Sequence, residues 1–157
     1  MTEVIISVHP EWCEKILQKQ KTLEIRKSSP KTLFPFRVYL YATVSHPTWF
    51  RHEPTGLVEL SGMVIGDFIC DEVVRFDVPY PAYRRSLPAW ITDQSCVGYY
   101  QLHKYALASN DCKLHAWRIS DFRAYEKPLD IGHFLNSKGK VMTRPPQSWC
   151  YCEKRDL

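Results

Sequence analysis

The alternation of apolar and polar positions predicts a strand, a helix and two more strands in the first part of the chain. Residues Val4 to Val8 predict a buried strand, because four of the five are aliphatic. His9-Pro10-Glu11 predicts a helix start, since proline suits the first helical position and an acid there favours the helix dipole. Alternation of period two then predicts strands over Lys21 to Lys27 and Arg37 to Ala42.

Apolar patterns farther along predict more strands with helices inserted between them. Leu57 to Phe68 is strand-like, and its glycines, Gly62 and Gly66, indicate a bulge or strong curvature. Residues Pro88 to Ala108 lack this alternation and predict one or two helices, after which Leu114 to Tyr125 returns to strand character. This order predicts an α+β fold, and the glycine-marked curvature favours a small closed mixed β-barrel with flanking helices.

Two segments do not follow a regular pattern. The stretch from Ser45 to Thr55 contains Pro47 and Pro54 and is predicted to be a loop. The stretch from Arg144 to Cys152 is rich in rings and too apolar for a free tail, so we expect it to pack on the body of the protein.

Length and composition are those of a globular protein. The chain has 157 residues, of which 45% are hydrophobic and 24% charged, so we expect a single domain over residues 1–157 with a full core. No run of apolar residues is long enough to span a membrane, and Met1-Thr2-Glu3 does not begin a secretory signal, so we expect a cytoplasmic protein. The six cysteines lack zinc-site spacing, and we expect neither a metal nor a cofactor.

Positive charge is concentrated near the start of the chain. The net charge is only +4, yet the stretch from Lys15 to Arg37 holds seven basic residues against one acid, Glu24. Such a face either attracts phosphate or keeps a solvated helix and strand soluble. If the face attracts phosphate, Lys19, Arg26 and Lys27 are the residues predicted to contact nucleic acid.

The segment from Lys21 to Lys27 combines charged side chains with a strand pattern. Period two places Thr22, Glu24 and Arg26 on one face and turns Leu23 and Ile25 towards the core. If the polar face borders a cleft, a desolvated Glu24 and the neighbouring Lys21 could form an acid/base pair. The alternative is that Glu24 and Arg26 only balance each other's charge at the surface.

Other side chains are expected to border the same cleft. These predicted cleft-lining residues are Thr22, Tyr41, Gln147, Ser148 and Trp149. Trp149 could stack on a base or fill the core, whereas Trp117 is predicted to be core because its neighbours alternate like a buried strand.

Seven short motifs follow one another along nearly the whole chain. They are Ile6 to Pro10, Lys21 to Lys27, Val38 to Tyr41, Gly62 to Phe68, His115 to Asp121, Tyr125 to Leu129 and Pro145 to Trp149. This ordered set resembles the ASCH domains of the PUA-like superfamily. The resemblance implies a PUA-like β-barrel whose cleft, between the barrel and flanking helices, binds RNA or a modified base.

Two branches of the ASCH family imply chemistry in that cleft. One branch hydrolyses N4-acetylcytidine with a lysine, a threonine and a glutamate, and another has ribonuclease activity. By position, the lysine corresponds to Lys21 and the threonine to Glu24, while residues Asp93 to Val97 contain no glutamate.

Three hypotheses follow for the function. The first is a module that binds RNA or a modified nucleotide in a charged cleft. The second is a hydrolase acting on an acylated nucleoside or on RNA, with Lys21 and Glu24 as catalytic groups. The third is a protein-interaction or regulatory domain, which would expose an apolar patch around Trp49, Phe50 or Trp90.

Overall fold

The computed structural model describes residues 1–44, 49–52, 56–59, 61–78, 87–109 and 111–157, with only the backbone of 49–52 and 56–59. The side chains of Trp49 and Phe50, two members of the predicted apolar patch, therefore lie outside the described part. Trp90, the third member, is 38% exposed.

The regular structure of the described residues consists of three sheets, three α-helices and one short 3₁₀ helix (Ile131–His133), so the predicted α+β class is confirmed. The helices are α1 (Pro10–Leu17), α2 (Ala89–Ser95) and α3 (Tyr99–Leu107). The strands are β1 (Glu3–Val8), β2 (Leu23–Arg26), β3 (Phe36–Ala42), β4 (Trp49–His52), β5 (Gly56–Glu59), β6 (Met63–Cys70), β7 (Val73–Asp77), β8 (Lys113–Arg118), β9 (Ser120–Leu129), β10 (Phe134–Asn136) and β11 (Trp149–Lys154).

The largest sheet has six strands in the order β10-β11-β1-β3-β6-β9. Strands β1 and β3 run parallel, and α1 and β2 lie in the connection between them. A second sheet has the order β2-β8-β7, and β4 pairs with β5 in a hairpin. Over the described ranges the six-strand order is open at both ends, so closure into a barrel remains a prediction.

The first helix begins at Pro10, as predicted, and ends at Leu17. Lys19 has a φ of +60°, and this left-handed backbone conformation is incompatible with another helical turn. The face of α1 that carries Cys13 and Ile16 packs on a core formed by alternate residues of β1 and β3.

The middle of the chain corrects one prediction and confirms another. The segment predicted to be a loop contains β4, which pairs with β5 through the register Trp49 to Glu59. The predicted bulge lies at Gly66, where the pairing of β6 with β9 shifts register. A Cβ atom at Gly66 would lie only 2.4 Å from the carbonyl oxygen of Arg123, so only glycine fits this approach.

The C-terminal aromatic segment packs on the body of the protein, as predicted. Its β11 is inserted between β10 and β1, with Val4 paired to Tyr151 and Ile6 to Trp149. Insertion of this strand brings Gln147 and Ser148, which precede it, beside the end of β1. The backbone N–H of Ser7 donates to the carbonyl oxygen of Ser148 at 2.9 Å.

All six cysteines are free, and Cys13 and Cys70 are buried among apolar neighbours. In the part of the chain that the structure covers, no helix is both long and apolar enough to cross a membrane.

Candidate functional site

A cavity of about 650 Å³ lies between β2 and the helices α1 and α3, within the usual size of a small-molecule site. Its lining residues come from five parts of the chain that are distant in sequence. They are Ser7, Val8, His9, Trp12, Lys21, Glu24, Ile25, Arg26, Lys27, Ser28, Thr43, Val97, Gln101, Leu102, Tyr105, Gln147 and Ser148.

Six of the ten residues predicted to form the site line this cavity. The four charged ones are Lys21, Glu24, Arg26 and Lys27, and the two polar ones are Gln147 and Ser148. Strand β2 and the residues that flank it position the first group, while the segment before β11 brings the second group across the cavity.

Thr22 does not face this cavity. It lines a second one, of about 680 Å³, together with Trp90 and Arg118. The period-two prediction fails here because the regular strand begins only at Leu23. Upstream of it the backbone N–H of Thr22 donates to Gln94 and its carbonyl oxygen accepts from Ile119, which turns the residue towards α2.

Tyr41, Trp149 and Lys19 also lie outside the cavity lining. Tyr41 is buried in the core cluster that contains Ile5 and Phe134, on the other side of the large sheet. Trp149 borders the cavity, since its indole N–H donates to the hydroxyl of Ser28 at 3.1 Å. Lys19 is exposed in the turn after α1.

Lys21 is buried in the floor of the cavity. Its Nζ donates to the carbonyl oxygen of Ser95 at 2.6 Å and lies 3.8 Å from the carboxylate of Glu24. The same ammonium group lies 5.2 Å from the centre of the Trp12 ring. Burial lowers the pKa of Lys21, and the charge of Glu24 opposes this shift without cancelling it.

Arg26 connects three walls of the cavity. Its Nη2 donates to the carbonyl oxygen of Ser7 at 2.6 Å, and its Nη1 donates to the hydroxyl of Ser148 at 3.3 Å. Its Nε lies 3.4 Å from the carboxylate of Glu24. The planar guanidinium therefore holds the segment before β11 against β1 and β2 while it balances the buried acid.

Two polar atoms in the floor lack hydrogen-bond partners. These are Oε2 of Glu24 and Nε of Arg26, and both are buried. A buried polar group without a partner costs about 1 to 3 kcal/mol. Each lies near an opposite charge, Oε2 at 3.8 Å from the Lys21 ammonium and Nε at 3.4 Å from the other oxygen of Glu24, so these ion pairs leave hydrogen-bonding capacity unused in the floor.

Aromatic side chains form part of the walls. Trp12 comes from α1 and Tyr105 from α3, and both are partly exposed. The Nζ of Lys27 lies 4.8 Å from the centre of the Tyr105 ring at the cavity rim. Planar rings in the walls, polar groups in the floor and an exposed cation at the rim match a base and its phosphate.

Trp12, Gln101 and Tyr105 were missed in the sequence. Trp12 lies on α1 and packs partly against the core and partly at the cavity. Gln101 and Tyr105 are four residues apart and share one face of α3, a spacing that could have grouped them. No signal in the sequence indicated that this face meets β2.

Among the residues that the structure describes, no three His, Cys, Asp or Glu side chains come together as metal ligands.

Solved structures of ASCH from Zymomonas mobilis are similar to this chain. The first is 22% identical and has a TM-score of 0.64, with an alignment that covers 98% of this chain and 89% of the other. A serine-to-alanine variant of the same protein gives the same values. A tyrosine-to-phenylalanine variant is 21% identical with a TM-score of 0.63, covering 98% of this chain and 92% of the other.

The chain therefore has the fold of ASCH domain proteins, and the predicted resemblance is confirmed at the level of the fold. No family model and no curated protein matches the sequence.

Proposed function

We propose that this protein binds RNA or a nucleotide, with a base inserted in the cavity between β2, α1 and α3. The observation that carries the proposal is the buried Oε2 of Glu24, which lacks a hydrogen-bond partner in a cavity with aromatic walls. An exocyclic amino group of a base is a donor of the right kind for this carboxylate. The fold itself, shared with ASCH proteins, is compatible with this role but does not establish it.

Stacking and charge complete the proposed binding mode. The rings of Trp12 and Tyr105 offer apolar faces to a base, and stacking on an aromatic side chain contributes about 1 to 3 kcal/mol per base. Lys27 is exposed at the rim, where it can meet a phosphate. Arg26 and Lys21 are buried and act mainly by fixing Glu24 in place.

The test is a calorimetric titration of the four ribonucleoside monophosphates. We expect cytidine, adenosine and guanosine monophosphates to bind at least about tenfold more tightly than the uridine compound, because only uracil lacks an exocyclic amino group. Glu24→Gln should remove this preference, and Glu153→Gln, an exposed acid on β11, should keep it.

Two results would contradict the proposal in different ways. Equal binding of all four monophosphates would show that Glu24 does not read the base. Failure of every monophosphate and of single-stranded RNA to bind would remove the proposed function itself. The native protein alone decides between these results if Glu24→Gln does not fold.

A hydrolase is the second candidate, and one observation favours it. The Lys21 ammonium is buried beside Glu24, and burial lowers its pKa, so its neutral form is accessible at lower pH than in solution. A neutral Lys21 could take a proton from water as that water attacks the acyl carbon of an N-acylated base. The carbon–nitrogen bond then breaks, and the proton is returned to the leaving amino nitrogen.

A further inference from the structure

We propose that the ligand is a single RNA strand rather than a free nucleotide, and that a second base stacks on the aromatic pair Trp149 and Tyr151. This inference rests on the proposed binding of a base in the cavity and adds a position beside it. We call Trp149 and Tyr151 the aromatic platform.

The platform continues directly from the cavity rim. Ser28 and Ser148 line the cavity, and Trp149 is the next residue after Ser148. The indole N–H of Trp149 donates to the hydroxyl of Ser28 at 3.1 Å. The Tyr151 ring lies 5.4 Å from Trp149, centre to centre, since residues two apart share one face of β11. A strand leaving the cavity past Ser28 thus meets aromatic rings at once.

The platform is fixed before any ligand binds. Trp149 packs edge-to-face on the buried Trp117, with ring centres 5.7 Å apart. The hydroxyl of Tyr151 accepts a hydrogen bond from the backbone N–H of Lys31 at 3.1 Å. Tyr151 is nevertheless 38% exposed, so its ring combines an open surface with a defined position. Binding a base there costs little side-chain entropy.

Charge around the platform indicates a polyanionic partner. Residues 26–34 and 144–152 meet here through three hydrogen bonds, from Arg26 to Ser148, from Trp149 to Ser28 and from Lys31 to Tyr151. These two stretches contain four cations and neither Asp nor Glu. Three of the cations, Lys27, Lys31 and Arg144, are exposed. Phosphates that link successive bases are the complementary groups.

The test compares cytidine monophosphate with a single-stranded cytidine hexanucleotide RNA on the intact protein. We expect the hexanucleotide to bind roughly tenfold more tightly, and Tyr151→Ala to weaken it by about five- to a hundred-fold without changing the affinity for the monophosphate. Tyr151→Phe should keep hexanucleotide binding, because the ring survives. Tyr100→Ala, which removes a tyrosine that is 78% exposed on α3, is the matched control and should change neither affinity.

Equal affinities for the two ligands, or an unchanged hexanucleotide affinity in Tyr151→Ala, would overturn the platform and leave binding in the cavity intact. Failure of both ligands to bind would instead overturn the proposed function. Tyr151→Thr, which suits a strand, repeats the measurement if the alanine variant does not fold.

Discussion

The ammonium group of Lys21 lies 3.8 Å from the carboxylate of Glu24, and the two side chains are only 1% and 9% exposed. Arg26 approaches the same carboxylate from the other side, at 3.4 Å. Two cations and one anion thus share a buried floor with one net positive charge. An anionic ligand would balance that charge.

The stability of the protein should depend on pH through Lys21. Burial lowers its pKa in the folded state below the 10.5 of the free side chain. At a pH below the pKa of Lys21 in the folded protein, the folded and unfolded states both carry the proton. The folded state then bears the full free-energy cost of burying the charge. Between the two pKa values the unfolded state binds more protons, so stability rises with pH. The free energy of unfolding of the native protein should therefore increase relative to Lys21→Met as the pH approaches 10.5.

Chemical denaturation of the two proteins at several pH values measures this difference. Comparing a pair cancels the groups that titrate alike in both proteins. Lys31→Met, which removes an exposed lysine, should give a constant difference over the same range. A difference that stays constant for Lys21→Met as well would contradict the prediction.

If the second candidate function is correct, hydrolysis of N4-acetylcytidine should need a neutral Lys21. The rate should rise with pH to a plateau, with a midpoint below 10.5, because burial lowers the pKa of the base. Liquid chromatography of the released cytidine measures the rate. Lys21→Met should abolish turnover and Lys138→Met, at an exposed lysine outside the cavity lining, should retain it; equal rates in these two variants would exclude Lys21 as the base.

The affinity for RNA should fall as the salt concentration rises, because the exposed Lys27 at the cavity rim is proposed to bind a phosphate. Each phosphate neutralised on a single strand contributes about −0.7 to the slope of log affinity against log salt. Lys27→Gln should make this slope shallower by about 0.7, since Lys27 lines the cavity and is exposed. Fluorescence anisotropy of a labelled hexanucleotide between low and moderate salt measures it.

Lys138→Gln supplies the comparison, because this exposed lysine does not line the cavity. The slope of log affinity against log salt for Lys138→Gln should equal that of the native protein. An affinity that does not change with salt in the native protein would contradict phosphate binding altogether.

Gly66 should tolerate no side chain. The added methyl of Gly66→Ala would meet the carbonyl oxygen of Arg123 at 2.4 Å and the ring of Phe122 at 2.9 Å. Forcing strands β6 and β9 apart should cost about 3 kcal/mol of unfolding free energy. Gly98→Ala, where a Cβ would have nothing within 4 Å, should cost less than about 1 kcal/mol. Equal midpoints of urea unfolding in the two variants would contradict the prediction.

Local patterns in the sequence were sufficient for the elements that depend on neighbouring residues. The aliphatic run from Val4 to Val8 formed β1, and Pro10 began α1. Trp117 is fully buried, as the alternation around it predicted. These outcomes share one cause, which is that a side chain's face in a strand or helix depends on residues two to four positions away.

Thr22, just before β2, shows that local alternation does not predict every side-chain orientation. Alternation predicted that Thr22 would join Glu24 and Arg26 in one cleft, but Thr22 lies against α2 and lines another cavity. Its backbone is held by hydrogen bonds to Gln94 and Ile119. Partners more than 70 residues away therefore overrode the local period.

The sequence by itself determined the α+β class, the strand that carries Glu24 and Arg26 with Lys21 just before it, and the packing of the C-terminal aromatic segment. Only the tertiary structure decided what surrounds those charges. Lys21 donates to Ser95, 74 positions away, and Arg26 donates to Ser148, 122 positions away. Such contacts leave no periodic trace in the sequence, because they depend on how distant elements pack and not on the residues beside each partner.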